Sequence, residues 1–292
     1  MPDPFNPAVP AGAYDALVDG FRAASYANRT WQAGDAPLPA LFLSHGAPPL
    51  LDDTEWMRAL SDWAHRMPKP TGIVIVSAHW ESAPVMLSAP AAATPLVYDF
   101  SGFAPRYFTL QYSTPDAHDL ADQVAAVMPD GEAVHQHPRR GLDHGAWVPL
   151  MVMYPRADVP VLQVSLPTHD PARLLKLGAR LRSLREQGVL VIGSGFMTHG
   201  LPFLTPSAFA GEVPSWSADF DAWAAEALSR GDIDELTAYA DRAPGLPYAH
   251  PTVEHLVPLF VTLGASHDPE QSISATIDGW MYGLSRRSFA AA

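Results

Sequence analysis

Twelve histidines and no cysteine define the chemistry open to this chain of 292 residues. Without cysteine, disulfide scaffolds, Cys-ligated zinc, iron–sulfur clusters and thiol catalysis are excluded. Imidazole is then the abundant donor for a borderline metal such as Zn, Fe, Cu or Ni. Several histidines stand where short apolar runs stop. Ala40-Leu41-Phe42-Leu43 ends at Ser44-His45-Gly46, and Ile73-Val74-Ile75-Val76 ends at Ser77-Ala78-His79. Val161-Leu162-Gln163-Val164 ends at Ser165, with His169 beyond, and Val189-Leu190-Val191-Ile192 ends at Gly193-Ser194-Gly195, with His199 beyond. One such histidine reads most simply as a hydrogen-bonded structural residue. Three or four converging on one edge point to a metal site. HExxH, GxGxxG and GxxxxGK[ST] are absent, and Gly193-Ser194-Gly195 lacks the GxSxG spacing of a nucleophile elbow. Zincin, dinucleotide, P-loop and serine-hydrolase readings therefore lack their signatures.

The elements that must position these side chains follow from the same runs. Apolar runs without alternation suit strands buried on both faces, as in parallel sheets. Helices are expected over 54–67, 116–128, 144–154, 171–187, 217–229 and 251–263, the last with Pro251 at its first position. The fold class is α/β: a single domain with a mostly parallel central sheet flanked by helices, and a metal site at the carboxyl ends of the strands. Residues 1–38 form an N-terminal arm, with Leu17, Phe21 and Ala24 at helical spacing. It is either packed on the body or on a second subunit of a homo-oligomer, or is a disordered leader. Residues 39–292 form the body, which no repeat or linker divides. Hydrophobic residues at 48% and charged residues at 17% give an ordinary globular balance. A net charge of −13 argues against nucleic acid and anionic membrane surfaces. There is no apolar stretch of spanning length and no basic head followed by an apolar run, so a cytoplasmic location is expected.

The remaining histidines have plainer readings. His65 and His267 sit in polar contexts, His118 on a charged helix surface, and His135 and His137 in a loop before Pro138. His144 lies in Gly141-Leu142-Asp143-His144-Gly145-Ala146-Trp147, where Asp143 could cap a helix and leave His144 free to point elsewhere. Arg106, Arg139 and Arg140 could meet a substrate carboxylate, although surface solvation is the simpler role for each.

Five motifs occur in order: Leu43-Ser44-His45-Gly46-Ala47-Pro48, Val76-Ser77-Ala78-His79-Trp80, the Gly141–Trp147 motif above, Gly193-Ser194-Gly195-Phe196-Met197-Thr198-His199, and Pro251-Thr252-Val253-Glu254-His255-Leu256-Val257-Pro258-Leu259. Together, over roughly residues 39–285, they resemble the DOPA 4,5-dioxygenase group of the class III (LigB-type) extradiol ring-cleavage dioxygenases. The resemblance implies metal ligation by His45, His79 and His255. Glu254 is the neighbour at a position where another branch uses Glu. On a helix, adjacent side chains diverge by about 100°, so Glu254 and His255 cannot both face one metal. The resemblance further implies His199 as the acid–base residue, able to become a fourth ligand when zinc is bound. It makes His144 the contact to substrate hydroxyl or oxygen. Phe196, Met197 and Ala47 depart from the family's usual residues and point to a more apolar pocket wall.

The activity so implied is Fe(II)-dependent cleavage of a catechol ring by O2 beside its diol, giving a muconic semialdehyde. Zn(II) is a metal that could occupy the same site on isolation. In that scheme His199 takes a proton from the diol and returns one as the ring opens, and His144 stabilises the charge that develops. Three neutral imidazoles leave the metal charge uncompensated, which favours an anionic substrate. The alternatives are a zinc hydrolase on the same histidines, a Memo-like non-catalytic binding protein, and a closed structural zinc site of His45, His79, His199 and His255.

Overall fold

The β-branched runs read from the sequence form the centre of a sheet. A computed structural model of the chain describes residues 6–129 and 134–292. Strands β1 (Ala40–Ser44), β2 (Gly72–Glu81), β3 (Met86–Leu87), β4 (His135–Gln136), β5 (Val161–Leu166), β6 (Val189–Gly195), β7 (Ala275–Ile277) and β10 (Ser288–Ala291) lie in the order β4-β3-β5-β2-β6-β1-β10-β7. The central four, β5, β2, β6 and β1, are mutually parallel. The edges turn antiparallel at β3 on β5 and at β10 on β1. β8 (Trp280–Met281) and β9 (Leu284–Ser285) make a separate small hairpin.

Successive side chains of a strand point to opposite faces, so a strand with both faces covered must be apolar throughout. In β2, Val74 and Val76 face one core and Ile73 and Ile75 the other. The first core is closed by α3 (His118–Ala126), α5 (Pro171–Arg185), α7 (Ser215–Arg230) and α11 (Pro258–Ala265). The second is closed by α1 (Gly12–Ala27), α2 (Thr54–His65) and α4 (His144–Met153). Between the larger helices run the single turns α6 (Pro206–Phe209), α8 (Ile233–Thr237), α9 (Tyr239–Arg242) and α10 (Leu246–Ala249). In the arm, α1 buries Tyr14, Val18 and Phe21 against the second core, and the Tyr14 hydroxyl donates to the Met151 carbonyl at 3.3 Å.

Two local expectations are corrected. The predicted helix over 251–263 begins only at Pro258; residues 251–257 are irregular turns, so Pro251 opens no helix. The helix-based divergence of Glu254 and His255 therefore does not apply. His79 does not follow β2 but lies within it, where the β2–β5 register shifts between Val76 and Glu81. Such an irregularity re-aims a side chain locally.

Candidate active site

Three parallel strands deliver the site at their carboxyl ends, where ligands of open α/β sheets bind. β1 hands over to His45, whose backbone N–H donates to Gly195 O at 2.9 Å. β2 carries His79, β6 leads into Phe196 and His199, and α4 opens with His144. The loop before α11 brings His255, whose carbonyl accepts from Phe196 N–H at 2.9 Å. This approach explains the glycines of Gly193-Ser194-Gly195. A Cβ at Gly195 would sit 2.0 Å from the His255 carbonyl, and one at Gly193 would sit 2.2 Å from the Pro258 carbonyl.

His45, His79 and His255 meet. The His79 Nε2 lies 3.1 Å from the Nε2 of His45 and 3.1 Å from that of His255. The opposite ring nitrogens fix the protons. The Ser194 hydroxyl has one hydrogen, which it donates to Gly145 O at 2.5 Å; its oxygen must therefore accept from His45 Nδ1–H, 2.9 Å away. His255 Nδ1 donates to Glu254 Oε1 at 2.9 Å, and His79 Nδ1 faces Asp99 Oδ2 at 3.3 Å. Carboxylate oxygens only accept, so the His255 ring carries its proton on Nδ1, and the Asp99 carboxylate beside His79 Nδ1 favours the same tautomer there. All three Nε2 atoms are then bare lone pairs aimed at one point, an arrangement that repels itself unless a cation lies between. Metal–imidazole bonds of about 2.0–2.1 Å put adjacent nitrogens roughly 2.9–3.4 Å apart, between right-angled and tetrahedral arrangements. The observed separations fall inside that range, and each ring has a partner at its other nitrogen, as metal-binding imidazoles require. The donor set thus fits a borderline divalent metal.

Electrostatics keep these rings neutral. Burial, then the neighbouring imidazoles, hold His45 and His255 well below the usual histidine range. Burial, with His144 next, lowers His79 to about 3. A neutral imidazole is the form that binds metal.

His144 and His199 flank the cluster differently. His144 packs on His79 with ring centroids 3.9 Å apart, and its Nδ1 donates to Asp99 Oδ1 at 2.8 Å. His199 stacks on His255 at 3.4 Å, nearly parallel. It shares a group of close donor atoms with Glu254 and His255 rather than with His45 and His79. Burial, followed by His250, lowers His199 to about 4.

Asp99 is the residue that sequence reasoning missed. It lies in an irregular stretch with no motif around it, yet it bridges His79 and His144 and also accepts from the His144 backbone N–H at 3.1 Å. Burial pushes its carboxyl up, but the imidazole contacts outweigh this and hold it below the usual range. Asp143 does not cap α4 with its side chain. It is buried beneath the site, accepting from Ser77 Oγ at 2.9 Å, from Gln163, and from Arg140 at 3.3 Å. His169 stays outside, half exposed and 2.7 Å from Glu81. His118 and His267 are exposed, His65 bonds Ser61 O at the end of α2, and His135 belongs to the short β4 rather than to a loop. Phe196 and Ala47 line the pocket beside the cluster, whereas Met197 is buried in the first core. None of Arg106, Arg139 and Arg140 lines it. Among the described residues no helix is long and apolar enough to cross a membrane.

Comparison with known proteins places this arrangement. Residues 39–283 match the family described as the catalytic LigB subunit of aromatic ring-opening dioxygenase. A 4,5-DOPA dioxygenase extradiol of Beta vulgaris is 40% identical over 232 residues, covering 77% of this chain and 85% of the relative. One of Escherichia coli K12 is 31% identical over 247 residues, covering 83% and 90%. The crystal structure of an uncharacterized Escherichia coli K12 protein superposes with a TM-score of 0.71 at 29% identity, covering 87% of this chain and all of the other. With a histidine-rich site able to hold a metal at the strand ends, the chain belongs to the LigB family of aromatic ring-opening dioxygenases, in its extradiol DOPA dioxygenase-like group.

Proposed function

We propose that the protein is a non-haem Fe(II)-dependent extradiol dioxygenase that opens a catechol-type ring beside its diol with O2 to give a muconic semialdehyde. The observation that carries this reading is the set of three bare Nε2 atoms, each ring anchored through Nδ1, beside a pocket that holds two further histidines. His45, His79 and His255 would hold the iron. Bound there, iron(II) would bring the diol oxygens and O2 together and let electrons pass between them. DOPA, in the names of the relatives, is the first catechol to try.

The chain's own residues supply the proton chemistry. His199 enters neutral, so a free ring nitrogen can take a proton from a diol hydroxyl as the substrate binds. The imidazolium so formed stands beside the anion it has created and returns the proton as the ring opens. His144 has its Nδ1–H committed to Asp99, so its Nε2 is an acceptor toward a substrate hydroxyl and, once protonated, a donor toward a developing oxyanion. Phe100, Phe103 and Phe196 enclose the ring and keep water from the reacting atoms.

The test is anaerobic loading with Fe(II), addition of DOPA, protocatechuate or caffeate, and admission of air. Stoichiometric oxygen uptake with a yellow product is expected. No uptake with any catechol, with iron confirmed in place and zinc absent, refutes the assignment.

A further inference from the structure

We propose that this site is built for catechols whose substituent away from the diol carries no net negative charge, such as esters and alkyl or aryl catechols, rather than for catechol acids. The proposal rests on the extradiol reading above and names its substrate class. The cavity beside the histidines measures about 310 Å³. An apolar cavity of about 150 Å³ already holds benzene, so roughly half of this one remains for a substituent. Beyond the histidines its wall is mostly apolar, with Phe100, Phe103, Phe196, Leu204, Met281 and Leu284 beside the hydroxyl-bearing Ser101 and Tyr282. Toward the mouth the apolar character continues, with Leu201 50% exposed.

No lysine or arginine lines this cavity among the described residues, and residues 1–5 and 130–133 contain none. The arginines that stand close in sequence to its lining residues are held elsewhere. Arg140 donates to Asp143 and to His79 O and lies over Trp80. Arg286 is paired with Asp53 and Glu55, and Arg287 with Asp221. A substrate carboxylate would thus find no cationic side chain to pair with, only the Ser101 and Tyr282 hydroxyls.

It would find a like charge instead. Asp99 is part of the cavity wall, and Glu254 stands behind His255. These two carboxylates balance a divalent metal held by three neutral imidazoles. With such a metal in place the site would hold no excess positive charge to attract a second anionic group on the substrate. A second anionic group on the substrate is desolvated against apolar walls and repelled by Asp99.

The measurement uses the metal-loaded protein without oxygen. Protocatechuate is titrated against its ethyl ester, and caffeate against its ethyl ester, by quenching of tryptophan fluorescence. kcat/KM is then taken from oxygen uptake with Fe(II). Each ester is expected to bind at least about tenfold more tightly than its acid and to show the higher kcat/KM. An acid that binds as tightly as its ester, or more so, overturns the proposal; if its ring is opened, the dioxygenase reading stands. Failure to bind or turn over any of the four, with iron in place, overturns that reading and the proposal with it. A variant guards the interpretation: Leu204→Lys puts a cation on the half-buried wall and should raise acid binding relative to ester about tenfold. An unchanged ratio in the folded variant shows that the wall's lack of charge does not set the preference, and overturns the proposal.

Discussion

Ser194→Ala tests the argument on which the metal site stands, that a hydroxyl with a single hydrogen decides which nitrogen of His45 is bare. The Ser194 side chain is buried and makes two bonds, donating to Gly145 O at 2.5 Å and accepting from His45 Nδ1 at 2.9 Å. Alanine leaves a buried carbonyl and a buried ring N–H without partners. Each such loss costs about 1–3 kcal/mol, so the apoprotein should lose roughly 2–4 kcal/mol, the two terms being only partly additive. Metal binding should suffer separately. With no acceptor at Nδ1, the His45 proton is free to move to Nε2, where it must be displaced before the nitrogen can ligate. Loss of such a supporting contact weakens metal affinity about 10–100-fold, or roughly 1.4–2.8 kcal/mol. Urea unfolding of wild type and variant, each with and without saturating Zn(II), separates the two effects. The apo difference reports the packing and hydrogen bonds, and the gain on adding metal reports affinity by mass action. A chelator competition gives the dissociation constants directly. If the variant lost apo stability as expected but bound Zn(II) within twofold of wild type, the tautomer argument would be wrong and Ser194 would be only a structural tie.

Three further outcomes follow from neighbouring geometry. Gly145→Ala places a Cβ 2.4 Å from Ser77 Oγ and within 3.2 Å of the His79 and His45 rings, so metal titration should show affinity reduced by at least about a hundredfold in a chain whose far-ultraviolet circular dichroism is unchanged. His199→Ala should lower kcat by about 10²–10⁴ while the chelator-competed metal affinity changes only a few-fold; equal losses of both would make His199 a ligand instead of the proton carrier. His250 is buried, donates Nε2–H to Met197 O at 2.9 Å, leaves Nδ1 without a partner among the described residues, and is lowered to about 4, chiefly by burial. A lowered histidine contributes stability that is complete above the unfolded value near 6.5 and is lost as pH falls from there toward 4, about 3 kcal/mol in all. In apoprotein urea melts between pH 7.5 and 5, His250→Asn should remove about one proton from the slope of stability against pH, and an unchanged slope would count against this.

What the sequence disclosed and what it hid have one physical origin. The four parallel strands were legible because both faces of each are covered, which forces unbroken β-branched runs such as Ile73–Val76. Histidines at the ends of such runs then declare themselves by position, as His45 does. His169 misleads because the same positional signal says nothing of direction: three residues beyond β5 the chain has already turned toward Glu81. The start of the chain's last helix was misjudged because Pro251 satisfies the rule for a helix start while residues 251–257 follow the needs of the site, where the His255 carbonyl must reach Phe196 N–H. Asp99 was invisible for a related reason. Its value lies wholly in contacts 20 and 45 residues away, with His79 and His144, and nothing local requires it. Yet Asp99 and Glu254 change the chemistry most. They anchor the rings of His79, His144 and His255, and they would balance the charge of a divalent metal held there. Ligands are recruited by side-chain type and can be read one at a time; the charge of a site is a sum over partners that only the fold brings together. The inference that the pocket prefers a neutral substituent comes from that sum, and it reverses the preference the histidines suggest when read without their carboxylates.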